Sequence, residues 1–389
     1  MVFIRVLLLG GSGRFSESTA RCLANSDIVA NIGLAGRNEA ALRQRASEVG
    51  DKSHSVPLDI LDEGHLAEVV ADYDVVVNAA GPEWEALLPA LRASIKAGTH
   101  YCDLGADGRT AERQLQLDSL AKKRDVTAIV GMGFDPGIDN LIAMQASKQF
   151  DRVEEIMFCY LLALPDDLLR ESVDILRKSG RVDPSWQLVM NNVAGPVSVH
   201  QRGSQVTVNP LEHGVEIKSP AGLVATAYPD ANPEQITIPR YLPGVPDVSC
   251  VCAITPPEMS QLVHREAERI TQKESTIKDA TRSFLNTVGE DPDRWLKGSA
   301  PGWDNWLDVT GLRNGKRGRC KCWPVRVAST GIPLAIAALR ILRGEVRVRG
   351  VVPPEACFEP MSFLEEVGRR MPPDDQEKPL YGEQMEWLG

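Results

Sequence analysis

The chain has 389 residues, 43% of them hydrophobic, which is enough to bury the cores of two or three domains. Its net charge of −10 and isoelectric point near 5.3 exclude a generally polyanion-binding surface, so nucleic acid is not expected as a partner. No stretch approaches the roughly 20 apolar residues of a membrane span, and the apolar N-terminus runs straight into a glycine turn. We therefore predict a buried first strand rather than a signal peptide.

The eight cysteines are scattered or stand in two C-x-C pairs, Cys250/Cys252 and Cys320/Cys322. In a strand this spacing places both thiols on one face, and no second pair with histidines at zinc spacing follows. We interpret the cysteines as reduced thiols in the core of a cytoplasmic protein and predict no metal site. The basic run at 313–321 is interpreted as a hairpin with its turn at Asn314-Gly315.

The first third of the chain alternates short apolar runs with segments of helical periodicity. Strands are predicted at 4–9, 28–35, 55–58, 75–79, 99–103 and 127–130. Helices are predicted at 17–24, 39–49, 63–71 and 89–97. Such alternation is typical of βαβ units, so the predicted fold class is α/β, with a doubly wound parallel sheet forming a Rossmann domain over 1–134.

The pattern changes after residue 134. Segments of β type punctuated by Gly and Pro fill 189–255, which predicts an antiparallel or mixed sheet with one solvated face. Charged helical sequence follows at 259–288, and the second domain is predicted to span 135–328. A small-residue helix begins near Ser329 and should stop at Gly344. The polar, proline-rich residues 371–389 are predicted to form a surface tail.

A glycine-rich turn, GGSGRFS, follows the first predicted strand and opens a helix. Aligned as G-x-G-x-x-G, it supplies Gly11 and Gly13, with Ser16 in the third position. The glycines permit a tight turn and the close approach of a pyrophosphate, which would lie at the helix N-terminus. The predicted cofactor contacts here are Gly10, Gly11, Ser12, Gly13, Arg14 and Phe15.

The end of the second strand indicates which dinucleotide binds. An NAD site usually has an acidic residue there for the ribose hydroxyl, whereas this chain has Gly36 and Arg37. A guanidinium suits a 2′-phosphate, so NADP is favoured over NAD; the alternative is an ordinary surface arginine. Strand ends of the same sheet should add further contacts with the cofactor, at Asp59, Asn78, Ala79, Ala80, Gly81 and Pro82.

Several runs, including GGSGRFSES, VVVNAAGPEWEALLPALRASIKAGTHYCDLG, GFDPGIDN and ITIPRYLPGVPDV, resemble the saccharopine dehydrogenase-like oxidoreductases. The resemblance is to the branch with saccharopine reductase, carboxynorspermidine dehydrogenase and lysine 6-dehydrogenase. It implies a Rossmann domain, a second α+β domain on a mixed sheet, and a C-terminal segment, 329–370, that returns to the first. It also implies a homodimer and NAD(P)-linked chemistry at a C–N bond of an amino acid. Ser16 departs from the usual glycine, and 160–190 and 273–318 resemble no named member, so the substrate stays open.

The run GFDPGIDN raises the question of what Asp135 does. Pro136 holds the preceding residue extended and Gly137 permits a sharp reversal, while Asp139 or Asn140 can cap a helix over 140–149. A turn alone does not require the carboxylate of Asp135. At a strand end beside the crevice it could bind an ammonium group or move a proton, so we predict a catalytic and substrate-binding role, with a turn-only role as the alternative.

Other polar residues complete the predicted site. Asp103 ends the preceding strand, and two carboxylates near one imine would suit charge stabilisation with proton transfer. Asn140, Arg240 and Tyr241 are predicted substrate contacts, the last two on a loop of the second domain. His100 and Lys96 are candidate bases that should lie away from the crevice.

The predicted function is an NADP-dependent oxidoreductase that acts on a C–N bond of an amino-acid-type substrate. Two alternatives stay open. One is an NADPH-dependent reductase of a C=C or C=O bond in a biosynthetic pathway. The other is a non-catalytic NADP-binding protein, for which Ser16 would be a sign of lost activity.

Overall fold

The structure, a computed structural model, describes residues 4–163, 166–296, 303–325, 329–371 and 377–388. The chain divides into two compact units. The first comprises Met1–Gln145 and Pro324–Tyr381, and the second comprises Ala146–Trp323 and Gly382–Gly389. None of the helices in the described part of the chain is long and apolar enough to cross a membrane.

The N-terminal part of the first unit alternates strands with helices. The elements are β1 (Ile4–Leu9), α1 (Arg14–Ala24), β2 (Val29–Gly36), α2 (Glu39–Val49), β3 (Ser53–Pro57), α3 (Glu63–Val70), β4 (Val75–Asn78), α4 (Glu83–Ala97), β5 (His100–Asp103), α5 (Gly108–Leu115), α6 (Asp118–Lys123), β6 (Thr127–Ile129) and α7 (Ile138–Ser147). The parallel sheet has the order 3-2-1-4-5-6, which is the order of a doubly wound dinucleotide-binding sheet. All six predicted strands are confirmed, with ends shifted by at most two residues.

One helix of this region starts earlier than its sequence pattern predicts. The helix predicted to begin at Pro89 is α4, which begins at Glu83 behind Pro82 and carries Pro89 in its interior. Pro82 at the N-cap suits the start, because the first turn needs no N–H partner there. The apolar side of α4 then packs on the sheet, with Leu87, Leu91 and Ile95 nearly inaccessible.

The second unit begins after α7. Its elements up to residue 324 are β7 (Arg152–Ala163), α8 (Asp166–Ser179), α9 (Pro184–Val193), β8 (Val197–Gln201), β9 (Ser204–Val208), β10 (Val215–Lys218), β11 (Val224–Pro229), α10 (Glu234–Tyr241), β12 (Asp247–Thr255), α11 (Pro257–Thr271), α12 (Ile277–Glu290), α13 (Pro292–Leu296), β13 (Trp303–Arg313) and β14 (Lys316–Pro324). The sheet is mixed, because β12 runs parallel to β7 while β13 and β14 pair antiparallel. The predicted fold class, a Rossmann sheet with a second mixed sheet, is therefore confirmed. The predicted hairpin is confirmed too: Arg313 pairs with Lys316 around Asn314 and Gly315, both at positive φ.

The chain ends with α14 (Gly331–Leu342), β15 (Gly350–Val352), α15 (Pro360–Gly368) and β16 (Tyr381–Trp387). Helix α14 packs on α1, where Gly331 lies so close to Phe15 and Thr19 that a Cβ would clash, and Gly344 at positive φ follows its end. Strand β15 extends the first sheet beside β6. The first unit thus continues to Gln145, past the predicted boundary at 134, and includes the chain from 324 to 381.

Two sequence interpretations of this region are wrong. The run ITIPRY was assigned to a β-type segment, but Glu234–Tyr241 is helix α10. The residues 371–389 were predicted to be a surface tail, but Tyr381–Trp387 is strand β16, which lies beside β14 at the edge of the second sheet. Residues 372–376 of that predicted tail lie outside the described part of the chain.

Candidate functional site

The glycine turn after β1 has the geometry that a dinucleotide requires. Gly10 has a φ of +74°, and a Cβ there would lie 2.8 Å from the Ala79 carbonyl oxygen. A Cβ on Gly11 would lie 2.8 Å from that of Leu34. The N-cap of α1 is Gly13, which has no side chain to cap the first turn, and a helix N-terminus of this kind suits an anion.

Ser16 occupies the third glycine position without disturbing this turn. Its side chain is fully buried, and its hydroxyl donates a 2.6 Å hydrogen bond to the Gly10 carbonyl. The Gly13 amide donates to the same oxygen at 2.8 Å. Ser16 therefore links helix α1 to the turn by a hydrogen bond, whereas a glycine would only allow the two to approach. Its presence is not a sign that the turn has lost the ability to bind a cofactor.

Arg37 stands directly after β2, as the sequence indicates. It is exposed and makes no hydrogen bond or ion pair with any residue that the structure describes. The next residue, Asn38, caps α2 by accepting a hydrogen bond from the Ala41 amide at 3.2 Å, which fixes the strand end. A guanidinium on a fixed strand end with no protein partner suits an anionic ligand.

The other predicted cofactor residues lie at the carboxyl ends of β3 and β4. The Asn78 side chain is fully buried; it accepts from the Ala80 amide at 3.0 Å and donates to the Tyr101 hydroxyl at 3.2 Å. Asn78 thus shapes the turn at 79–82. Asp59 is exposed and accepts from the Leu61 amide at 3.1 Å. Cofactor contacts for both stay predictions.

Asp103 is fully buried at the end of β5, where three donors surround it. Its Oδ1 accepts from the amides of Gly105 and Gly131, each at 2.9 Å, and its Oδ2 accepts from Gln114 Nε2 at 2.6 Å. Burial raises the pKa of Asp103, and these donors oppose the rise. The carboxylate ties together the chain segments after β5 and β6, which sequence reasoning did not foresee. Its predicted catalytic role stays a prediction.

Glu83 is an acidic residue that sequence reasoning missed. It opens α4, just past the end of β4, and its Oε2 accepts from the amides of Ala106 and Asp107 at 2.7 and 2.8 Å. Burial, and after it the charge of Asp107, raises the pKa of Glu83 to about 8. A carboxyl group that still holds its proton at neutral pH can act as a general acid. The sequence did contain one signal for Glu83: it directly follows the NAAGP turn, which was predicted to contact the cofactor.

The raised pKa of Glu83 predicts a pH-dependent stability. Between pH 4.5 and about 8 the folded protein keeps a proton that the unfolded chain has lost, so the free energy of unfolding should fall as pH rises through this window. One such group contributes up to about 1.4 kcal/mol per pH unit. Glu83→Gln keeps the acceptor for both amides and removes the titration, so its unfolding free energy in urea should decline less steeply from pH 5 to 9.

The control for this measurement is Glu85→Gln, because Glu85 lies in the same first turn of α4 but is exposed. That variant should keep the wild-type slope. Parallel pH profiles for wild type and Glu83→Gln would show that Glu83 ionises normally in the folded protein.

The turn that contains Asp135 connects β6 to α7. Asp135 is partly buried, and the Gly133 amide donates to the Pro136 carbonyl at 2.8 Å. Gly137 has a φ of +131° and no room for a Cβ.

Asn140 hydrogen-bonds both to this turn and to a residue distant in the sequence. Its Oδ1 accepts from the Gly137 amide at 2.9 Å, and its Nδ2 donates to Glu355 at 3.0 Å. Asn140 therefore holds this turn from within the first turn of α7, which begins at Ile138 and not at 140 as predicted. Its predicted substrate contact stays a prediction.

His100 and Lys96 do not join this group of strand ends. His100 starts β5 and accepts from the Thr127 amide through Nδ1, and Lys96 lies in the last turn of α4, so both are at the opposite end of the sheet. Arg240 and Tyr241 end helix α10 in the second unit and are exposed. They were predicted on a loop; their substrate contacts stay predictions.

A buried polar cluster in the second unit also escaped sequence reasoning. Glu234 is fully buried at the start of α10; Tyr160 donates to it at 2.8 Å, and the Cys250 thiol lies 3.6 Å away. Asn305 pairs with Tyr160 across β13 and β7, and both amide atoms of this buried side chain lack a hydrogen-bond partner among the described residues. Unsatisfied amides are rare in protein cores, so Asn305 is a candidate ligand contact.

Comparisons with known proteins agree with the geometry of the first unit. A sequence profile described as the saccharopine dehydrogenase NADP binding domain matches residues 6–129. The trans-acting enoyl reductase of Mycobacterium tuberculosis is 31% identical over 134 residues, which is 33% of this chain and 32% of that protein. The NADP(+)-dependent, L-glutamate-forming saccharopine dehydrogenase of Saccharomyces cerevisiae is 27% identical over 172 residues, 41% of this chain and 35% of that protein. The chain therefore matches only about a third of the length of these relatives.

A solved structure matches over a longer span. The apo structure of L-Glu-forming saccharopine dehydrogenase from Saccharomyces cerevisiae superposes with a TM-score of 0.65, covering 99% of this chain and 100% of that chain at 18% identity. At this identity the likeness shows a shared fold, which includes both units.

Proposed function

We propose, from the match of residues 6–129 to the saccharopine dehydrogenase NADP binding domain, that the protein is an NADP(H)-dependent oxidoreductase that acts on a C–N bond of an amino-acid-type substrate. The observation that carries this proposal is that three acidic residues lie at or just after the carboxyl ends of neighbouring strands in the first unit. Asp103 is the last residue of β5, and Glu83 and Asp135 come after the ends of β4 and β6; these three strands are neighbours in the sheet.

The cofactor residues support the first half of the proposal. The turn at 10–13 and the start of α1 offer N–H groups to a pyrophosphate, and Arg37 offers a guanidinium to the 2′-phosphate. NADP fits these residues, because no acidic side chain stands at the end of β2 to repel the phosphate. When bound, the cofactor supplies or accepts a hydride at the substrate carbon.

The acidic residues support the second half. An imine or amine substrate is cationic near neutral pH, and carboxylates stabilise that charge. With the cofactor bound, hydride addition to the carbon of the cationic imine would leave a lone pair on the nitrogen, and protonated Glu83 would be suited to give that nitrogen its proton. Asp135 would be suited to stabilise the resulting ammonium group. An enoyl thioester carries no positive charge, so the carboxylates of this group would not stabilise it in the same way.

A reductase of a C=C bond is the second candidate, favoured by a specific observation. The enoyl reductase of Mycobacterium tuberculosis is 31% identical over 134 residues, against 27% over 172 residues for the yeast saccharopine dehydrogenase. A non-catalytic NADP-binding protein is the third, but the intact turn removes Ser16 as a sign of lost activity.

A two-step experiment separates the three. Titration of NADPH fluorescence tests binding, and a screen then follows NADPH oxidation with 2-oxo acids plus amines and, separately, with enoyl thioesters. We expect turnover only with the carbonyl–amine pairs and, in reverse, NADP reduction by an amino acid. NADPH deuterated at C4 should leave its label on the carbon attached to nitrogen. Label in a saturated thioester would replace the proposal with the C=C reductase, and binding without any turnover would favour the third candidate.

Assembly and location are also proposed. We expect a homodimer, as in the resembling family, which sedimentation at several protein concentrations would detect. The free thiols of all eight cysteines support a reducing compartment, so we propose the cytoplasm.

A further inference from the structure

Two thiols on β14 lie side by side in the second unit. Cys320 and Cys322 are 1% and 0% exposed, and their sulfur atoms are 3.5 Å apart. They share one face of the sheet because they stand two residues apart in an extended strand. This is one of the two C-x-C pairs of the sequence, and it shares no residue with the candidate site of the first unit.

A carboxylate from a distant part of the sequence joins the thiols. The Leu388 amide donates to the Arg317 carbonyl at 2.9 Å and the Val325 amide to the Leu380 carbonyl at 3.3 Å, so β16 runs antiparallel to β14 with Glu383 opposite Cys322. The ligand atoms of Cys320, Cys322 and Glu383 all lie within 4.8 Å of one another.

A glutamine orients the group. Gln149 Nε2 donates to Glu383 Oε2 at 2.8 Å and to Cys320 Sγ at 3.6 Å. Hydrogen bonds of this kind, from residues behind the ligands, are what hold metal ligands in place. Glu383 itself is exposed, so an ion can reach the thiols from solvent.

The spacing fits a metal better than a disulfide. With zinc–sulfur bonds of about 2.3 Å and tetrahedral angles, two bound sulfurs lie about 3.8 Å apart, close to the 3.5 Å found here. A disulfide needs sulfurs about 2.05 Å apart, and residues two apart in a strand have Cα atoms roughly 6.6 Å apart, near the upper limit for a bridge. Thiolate ligands select zinc over magnesium or calcium.

We propose that Cys320, Cys322 and Glu383 bind one zinc ion, which fastens the C-terminal strand β16 to β14. The two thiol protons leave to solvent on binding, and the fourth tetrahedral position is open to water. The ion would hold edge strand β16 in place, in a region where the sequence pattern alone predicts a polar surface tail.

The test measures zinc in the reduced full-length protein after incubation with zinc sulfate and removal of free metal. We expect about one zinc ion per chain in the wild type and a small fraction of that in the Cys320→Ser/Cys322→Ser double variant. Cys159→Ala is the control, because Cys159 lies in the same sheet within an apolar cluster and should leave the zinc content unchanged. Wild type without zinc, or a double variant with the wild-type content, would overturn the proposal.

A second set of measurements does not depend on the folding of the double variant. Glu383→Gln changes only an exposed side chain on the edge strand, and it should weaken zinc binding by roughly tenfold or more. Wild type loaded with cobalt instead of zinc should show the thiolate-to-cobalt charge-transfer absorption of a tetrahedral site. Unchanged zinc affinity in Glu383→Gln, or a cobalt spectrum without thiolate bands, would contradict the ligand assignment.

Discussion

Asp135→Asn is expected to preserve the fold and the affinity for NADPH while lowering kcat about a hundredfold, a loss typical of a group that stabilises charge or moves a proton. Asparagine accepts the same extended conformation before Pro136, so the turn to α7 stays intact. A neutral amide, however, neither stabilises a cationic imine nor accepts its proton. The measurements are kcat and KM for the substrate found in the screen, the NADPH dissociation constant, and urea unfolding.

Asp103→Asn is the matched comparison, since the sequence assigned both acids the same role. Its amide nitrogen would face the donors of Gly105, Gly131 or Gln114, so we expect a loss of roughly 1–3 kcal/mol in unfolding free energy besides any loss of turnover. If the two acids act as a unit, the double variant should lose less turnover than the product of the single losses. Wild-type kcat in a destabilised Asp135→Asn protein would leave Asp135 as a turn residue.

Arg37→Ala should weaken NADPH binding about tenfold to a hundredfold, the effect of one or two charge-assisted hydrogen bonds worth about 1.5–3 kcal/mol. NADH lacks the 2′-phosphate, so its dissociation constant should stay nearly unchanged. Fluorescence titration of both dinucleotides on wild type and variant measures the difference.

Arg43→Ala supplies the control for that experiment. Arg43 is an exposed arginine of α2 that pairs with Glu39 four residues earlier, and its removal should affect neither dinucleotide. Equal losses for NADPH and NADH in Arg37→Ala would show that Arg37 does not contact the phosphate. In that case the exposed guanidinium would be an ordinary surface residue.

The first sheet could be predicted from the sequence alone, and so could the glycine turn where we expect the dinucleotide. Apolar runs, helical periodicity and the glycine turn are local signals, and each is complete within a few residues. Gly10 and Gly11 are required because the neighbouring strands leave no room for a Cβ. Such crowding is expected at the turn after the first strand of a βαβ unit, and the order of strands and helices predicts that unit. Arg37 could be placed for the same reason, because it directly follows a strand.

Where local signals compete, long-range contacts settle which secondary structure forms. The run at 234–241 contains three consecutive β-branched residues, at 236–238, yet it is helical. In the helix Ile236 and Ile238 are buried, and Gln235 accepts a hydrogen bond from the Cys250 amide. The C-terminal strand β16 forms because β14 offers it an open edge, which the polar residues at 381–387 could not reveal.

The chemistry of single side chains depended on the tertiary structure as well. Asp103 and Asp135 look alike as acids at strand ends, but donors from three separate segments enclose Asp103. The proton on Glu83 follows from burial and from Asp107, and the ligand group of Cys320 and Cys322 gains Glu383 only through strand pairing. A pKa and a ligand set are properties of the groups that surround an atom in space, and the groups that decide them here are distant in the sequence.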